Sequence, residues 1–119
     1  METIVAKFGG TSLADAKQFR KVRDIILKDA NRKYVIASAP GKRYPEDIKV
    51  TDLLLQCYEN AVNGVNYGAI LTDVRDRFHD IIVDLELEFP IDEEIEILRR
   101  HLMKHPDRDY MASRGEYLN

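Results

Sequence analysis

Only two segments of this 119-residue chain have the composition of β-strands, and both lie within its first 38 residues. Residues 3–8 are apolar and β-branched and stop at a pair of glycines, and residues 34–38 repeat the apolar pattern. Between them, apolar side chains at helical spacing predict a helix from about Leu13 to Lys28. A strand, a helix and a strand in so short a stretch predict a βαβ unit with two buried, parallel strands and a right-handed crossover.

The remainder of the chain is expected to be helical, after a polar loop at residues 40–49. Thr51 is expected to cap the second helix and Gly64 to end it, and Asp107 or Asp109 to cap the last one. A two-stranded parallel sheet is hard to bury, because such sheets are normally covered on both faces. The pattern therefore predicts an α/β fold, a βαβ unit with a small parallel sheet followed by a cluster of helices, as the front part of a larger domain.

The composition excludes several classes of protein. With 45% hydrophobic and 33% charged residues the chain is globular, and its net charge of −3 gives no general attraction to nucleic acid. The longest uncharged stretch, residues 60–72, is too short and too polar to span a bilayer, and the first residues do not resemble a secretion signal. A single cysteine, Cys57, allows no internal disulfide. We therefore expect a cytoplasmic chain with no membrane or nucleic-acid partner.

The first candidate site is the run from Lys7 to Ser12, in which a strand passes through Gly9 and Gly10 into a helix start. Glycines let the backbone approach a ligand closely, and the free N–H groups of a helix N-terminus suit a phosphate. Lys7 would add a full positive charge against phosphoryl oxygens. Ser12 and Asp15 have the spacing of a capping box. The spacing is neither that of a Walker A loop nor that of the G-x-G-x-x-G pattern, and a plain glycine turn with a structural cap remains the alternative.

The second candidate site is the segment from Ser38 to Arg43, directly after the second strand. The carboxyl ends of parallel strands meet at one edge of a sheet, so this segment should open onto the same edge as the glycine run. A serine hydroxyl there could hold a small polar substrate, although a Pro-Gly turn with solvated cations explains the same residues. Thr51 and Glu116, taken alone, have ordinary structural explanations.

Two groups of residues have a spacing that metal sites use. His101 and His105 are one helical turn apart, but no third ligand accompanies them. Asp76, Asp80 and Asp84 form a row along one predicted helix, which a solvated helix face explains more simply. The sequence therefore predicts no metal site, and Cys57 is expected to lie in the core.

Three segments resemble, in the same order, motifs of the aspartokinases within the amino acid kinase family. Residues 5–13, Val-Ala-Lys-Phe-Gly-Gly-Thr-Ser-Leu, are similar to the opening motif and are the most specific of the three. Residues 35–42 are similar to the second-strand segment, and residues 113–118 to a helix with the pattern Ser-x-Gly-Glu. The resemblance implies that residues 1–119 are the N-terminal part of an amino acid kinase domain, without the nucleotide-binding second half and the regulatory ACT domains.

The resemblance also implies an activity: phosphorylation of the β-carboxylate of L-aspartate by ATP with Mg²⁺, the entry step to lysine, threonine and methionine. A homo-oligomeric parent enzyme is expected, and the chain alone is expected to be inactive. Another kinase of the same fold, or a non-catalytic module that binds an anion or a partner, is the alternative.

By position, the resemblance assigns a role to each matching residue. Lys7 would be catalytic. The nucleotide phosphates would be bound by Lys7, Phe8, Gly9, Gly10, Thr11 and Ser12. Aspartate would be bound by Ser38, Thr51 and Glu116, with the charge of Glu116 suited to the substrate ammonium group.

Overall fold

The structure, a computed structural model, describes residues 3–119. Along this part of the chain, two strands and five α-helices follow one another, with a short 3₁₀ turn at Gly10–Leu13. The elements are β1 (Ile4–Phe8), α1 (Ala16–Leu27), β2 (Arg32–Ala37), α2 (Val50–Val62), α3 (Gly68–Asp84), α4 (Ile91–Lys104) and α5 (Arg108–Leu118). The mixed α/β fold with a small parallel sheet is confirmed.

The molecule is elongated, because the strands and α1 extend from one side of the helical cluster. Its Cα radius of gyration is 15.6 Å, where a compact chain of this length would have about 13.5 Å. On the helical side, α1 is tied to α3 by a hydrogen bond of 2.5 Å that the Arg20 guanidinium donates to the Asp84 carbonyl. None of the helices in residues 3–119 combines the length and apolar character needed to cross a bilayer.

The two strands are parallel, as predicted, and Lys7 lies opposite Ile36 in their register. The prediction that they are buried is wrong. Val5 is 59% exposed, Tyr34 62% and Ile36 51%, so the face that these side chains share with Lys7 is open. Apolar β-branched composition indicates a strand, but burial requires a second layer, and nothing in the described residues covers this face.

The start of α1 differs from the prediction. Ser12 does not cap the helix; its N–H donates to the Gly9 carbonyl at 3.1 Å within the 3₁₀ turn. Asp15 is the cap, and its Oδ1 accepts a hydrogen bond of 3.0 Å from the N–H of Gln18. The helix therefore begins at Ala16, and its N-terminal dipole is displaced from the glycine run.

At the next helix Thr51 is not the cap either. The cap position falls two residues earlier, at Lys49, which makes no side-chain cap bond, and helix α2 begins at Val50, whose N–H donates to the Pro40 carbonyl at 3.1 Å. The other two signals are confirmed. Gly64 has a φ of +69°, which ends α2, and Asp107 accepts a hydrogen bond from the N–H of Tyr110 at the start of α5.

The core lies among the last four helices. It is built from Val50, Leu53, Leu54, Cys57, Leu71, Val74, Phe78, Ile91, Ile95, Leu98, Leu102 and Met111. Cys57 is fully buried, as predicted, and burial raises the pKa of its thiol to about 12. It is therefore a packing residue rather than a reactive one.

Candidate functional site

A cavity of about 230 Å³ opens where both strands end. Its walls come from the glycine run after β1, the segment after β2, the first turn of α2 and the last helix. The residues are Gly10, Thr11, Ser38, Ala39, Pro40, Gly41, Lys49, Thr51 and Glu116. The expectation that the two candidate segments open onto one edge of the sheet is confirmed.

The segments after the two strands are in direct backbone contact. The N–H of Gly41 donates to the Gly10 carbonyl at 2.8 Å. A Cβ on Gly41 would lie 2.5 Å from the carbonyl carbon of Gly10 and 2.7 Å from the nitrogen of Thr11. Only a residue without a side chain permits this approach, so Gly41 sets the relative position of two walls of the cavity.

Close packing of α5 brings Glu116 to the cavity. A Cβ on Gly115 would lie 2.7 Å from Ala39 Cβ, so helix and loop touch at a position where no side chain would fit. One turn further, the Asn119 side-chain amide donates to the Ser38 carbonyl at 2.7 Å. These contacts join segments far apart in the sequence and place a carboxylate beside the Ser38 segment.

The cavity carries one acidic and one basic side chain, Glu116 and Lys49, together with the hydroxyls of Thr11, Ser38 and Thr51. A carboxylate, an ammonium group and several hydroxyls are complementary to a small zwitterion that itself has both charges. Lys49 was missed by the sequence analysis. The signal that could have found it is its place next to the predicted start of α2, at the edge where ligands are expected.

Not every predicted site residue lines this cavity. Gly10, Thr11, Ser38, Thr51 and Glu116 do, but the other four members of the glycine run do not. Those four are Lys7, Phe8, Gly9 and Ser12.

Lys7 is exposed on the open face of the sheet, and Gly9 is exposed with no atom within 4 Å of where a Cβ would stand. The glycine run is thus split. Gly10 and Thr11 contribute to the cavity, and Lys7 and Gly9 face solvent beside it.

An ion-pair network holds the loop between β2 and α2. Asp47, whose side chain is 8% exposed, accepts hydrogen bonds from the Arg43 side chain at 2.7 Å and from the Arg43 N–H at 3.0 Å. Arg77 of α3 lies 3.6 Å from the same carboxylate. The hydrogen bonds from Arg43 hold the pKa of Asp47 well below its usual range, against the opposing effect of burial.

This shift makes the stability of the chain sensitive to acid. Because the pKa of Asp47 is lower in the folded chain than in the unfolded chain, its stabilisation is complete above the usual pKa near 3.9 and is lost as the pH falls further. We expect Asp47→Asn to cost about 1–3 kcal/mol at pH 7. Urea unfolding at pH 7 and pH 3 tests this. The difference in the free energy of unfolding between the variant and the wild type should be smaller at pH 3, and the same difference at both pH values would contradict the prediction.

The spacings considered for metals have other roles in the structure. His101 Nε2 accepts a hydrogen bond of 2.9 Å from the N–H of Asp107, and its ring packs on Tyr110, so it closes the turn between α4 and α5. Asp76 pairs with Arg75 at 3.2 Å on the exposed side of α3. Within residues 3–119 no group of three His, Cys, Asp or Glu side chains is arranged to hold a metal ion.

A polar cavity beyond the carboxyl ends of parallel strands is typical of α/β proteins that bind small substrates or phosphates. Solved kinases share this chain's fold. The chain superposes on the aspartate kinase of Clostridium acetobutylicum with a TM-score of 0.94 and 44% identity, over 100% of this chain and 28% of that one. It also matches Escherichia coli aspartokinase III, solved with aspartate and ADP, with a TM-score of 0.74 and 30% identity, over 98% of this chain and 27% of that one.

The curated relatives agree with the solved structures. Aspartokinase 3 of Bacillus subtilis is 44% identical over 91 residues, which is 76% of this chain and 20% of that protein. No family model matches the chain. The chain is a homologue of the aspartokinases and spans about a fifth of the length of the curated relatives it matches.

Proposed function

We propose that this chain forms the aspartate-binding wall of an aspartokinase, which transfers the terminal phosphoryl group of ATP to the β-carboxylate of L-aspartate. The supporting observation is the cavity in which Glu116, Ser38 and Thr51 meet, in a chain that is similar to an E. coli enzyme solved with aspartate and ADP. The reaction would be the entry step to lysine, threonine and methionine. In this proposal residues 1–119 are the N-terminal part of an amino acid kinase domain in the cytoplasm.

Aspartate carries one ammonium group and two carboxylates, and the charges of the cavity match that pattern. Glu116 would bind the ammonium group through a charge-assisted hydrogen bond. Ser38 and Thr51 would donate hydroxyl hydrogen bonds to a carboxylate. Phosphoryl transfer depends mainly on positioning and electrostatics, so holding the acceptor carboxylate is a direct contribution to the rate.

The nucleotide phosphates would lie beside the aspartate cavity, along the glycine run. The open space over Gly9 lets an anion approach the backbone there, and Lys7 is exposed next to it. Lys7 would stabilise negative charge on the phosphoryl group during transfer, and Phe8 to Ser12 would shape the loop. Mg²⁺ would neutralise charge on the phosphates when it is bound with ATP, and we assign it no ligand in this chain.

A chimaera tests the proposal. In it this chain replaces the matching part of the C. acetobutylicum aspartate kinase, which is similar over the whole length of the chain. We expect aspartate-dependent ADP release, because the chain would supply the missing wall of the site. A folded chimaera that releases no ADP with aspartate would contradict the proposal and favour a non-catalytic anion- or partner-binding module. Release with a different acceptor would favour another kinase of the same fold.

Replacing Glu116 by glutamine in the chimaera should raise the KM for aspartate about tenfold or more and change the KM for ATP little. The reason is that a neutral amide weakens the bond to the substrate ammonium. Steady-state kinetics with each substrate varied in turn measure both constants. Glu59→Gln, an exposed glutamate of α2, is the control and should change neither. Equal effects of Glu116→Gln on both substrates would indicate a structural role for the residue.

On its own the chain should show no kinase activity and should self-associate; separately, we propose that the parent enzyme is a homo-oligomer. The described residues form one wall of a site, and the exposed face with Val5, Tyr34 and Ile36 is an apolar surface that a second copy can cover. Light scattering over a concentration series tests association, and an ADP-release assay on the same sample tests activity. Ile36→Lys should shift association to at least about tenfold higher concentration. A monomer at all concentrations would contradict the predicted association. Aspartate-dependent ADP release would contradict the predicted inactivity.

A further inference from the structure

Arg77 of α3 is a charged residue that is buried, with 5% of its surface exposed. It does not line the cavity that contains Glu116. Burial of a guanidinium group is costly unless its N–H groups are hydrogen-bonded, so its partners indicate why it is there.

The Arg77 guanidinium holds one loop at two points. Its Nη2 donates to the Gly41 carbonyl at 2.5 Å, and its Nη1 donates to the Ile48 carbonyl at 2.9 Å. Gly41 and Ile48 both belong to the irregular segment between β2 and α2, seven residues apart. The planar fork of arginine can reach both carbonyls at once, whereas the single ammonium of lysine has no such pair of fixed donors.

Both anchored residues lead directly into the cavity. Gly41 lines it and donates its N–H to the Gly10 carbonyl at 2.8 Å. Ile48 precedes Lys49 and Thr51, which also line the cavity, and the N–H of Val50 donates to the Pro40 carbonyl at 3.1 Å. A displacement of either carbonyl would therefore move residues that would touch the ligand.

We propose that Arg77 is a positioning residue for this cavity, which acts through the Gly41 and Ile48 carbonyls and never touches the ligand. The proposal rests on the proposed function for the identity of the ligand, L-aspartate. The positioning of the loop by Arg77 does not depend on the proposed function, because its hydrogen bonds lie within this chain. The Nε of Arg77 has no hydrogen-bond partner in the described residues. The guanidinium is therefore held by the two carbonyls, through Nη1 and Nη2, and by the ion pair to Asp47.

The test uses the ¹⁵N-labelled chain with Arg77→Lys and Arg77→Met. Arg75→Met is the matched control, since Arg75 lies two residues away on α3 and pairs on the surface with Asp92 at 2.8 Å. Amide hydrogen exchange is measured at Gly41 and Val50, and at Leu71 and Leu98 as reporters of the core. L-Aspartate is then titrated into each sample, and its affinity is read from amide shifts.

In Arg77→Lys and Arg77→Met we expect exchange at Gly41 and Val50 to be at least tenfold faster, with little change at Leu71 and Leu98, and aspartate to bind at least tenfold more weakly. Arg75→Met should match the wild type in all measurements. Unchanged exchange at Gly41 and Val50 in Arg77→Lys would overturn the proposal. So would a parallel loss of protection at Leu71 and Leu98 in both variants, which would make Arg77 a residue of global stability.

The two proposals can fail separately. If the wild-type chain binds no aspartate while Arg77→Lys still frees Gly41 and Val50, the proposed ligand is wrong and the positioning of the loop stands. If aspartate binds the wild type and Arg77→Lys equally well, the proposed function survives and the positioning role is refuted.

Discussion

Replacing Lys7 by alanine in the chimaera is expected to reduce turnover about 100-fold or more. Lys7 is exposed at the end of β1, next to the glycine run along which the phosphates would lie. Loss of one charge contact to a transition state that carries extra negative charge commonly costs a few kcal/mol. Because Lys7 does not line the cavity with Glu116, the KM for aspartate should change far less than turnover.

The control for this experiment is Lys17→Ala, which removes another exposed lysine, from α1. It should leave turnover within about twofold of the unsubstituted chimaera, since surface charges away from the site contribute little. Steady-state ADP release with saturating ATP and aspartate measures both variants. Unchanged turnover in Lys7→Ala would refute the catalytic role. An equal loss of turnover in Lys17→Ala would show that the effect comes from overall charge.

Replacing Gly41 by alanine is expected to destabilise the chain by about 3 kcal/mol or more, within the range of severe packing conflicts. The added Cβ would stand 2.5 Å from a backbone carbon of Gly10 and 2.7 Å from the nitrogen of Thr11. Neither atom belongs to a flexible side chain, so one whole loop must move. Movement would also break the hydrogen bond between the Gly41 N–H and the Gly10 carbonyl.

Gly9→Ala is the matched control for Gly41→Ala. Gly9 has a φ of −75°, which any residue adopts, and nothing lies within 4 Å of its added Cβ. We expect it to change the free energy of unfolding by less than about 1 kcal/mol. Urea unfolding of both variants, followed by circular dichroism, gives the comparison. Equal stability of Gly41→Ala and Gly9→Ala would show that the two loops separate freely.

Much of the fold could be predicted because its signals are local. The spacing of apolar residues predicted the first four helices, a capping residue predicted the last one, and the short βαβ stretch predicted that the two strands are parallel. Gly64 and Asp107 act as predicted because each controls only its own turn. The predicted helix caps Ser12 and Thr51 were wrong because other groups fix the starts of these helices. Asp15 capped α1, and the Pro40 carbonyl accepted the N–H of Val50.

The candidate site could be predicted in part. The sheet-edge rule grouped the segments after the two strands, and the resemblance to the aspartokinases added Thr51 and Glu116, which line the same cavity. Lys7 belonged to the first candidate segment and received its catalytic role from the resemblance; the structure leaves it on the open sheet face, so that role stays a prediction. Lys49 was missed because a lysine before a helix is ordinary on a surface.

The sequence by itself determined the order of strands and helices, the parallel pairing and the likeness to the aspartokinases, because periodicity, turn residues and motifs act over a few residues. Only the tertiary structure decided which face of the sheet is open and how the cavity is closed. Gly41 against Gly10, Gly115 against Ala39 and Arg77 beneath the loop are contacts between distant segments. These contacts form only when folding brings distant segments together, and no local sequence pattern encodes that proximity.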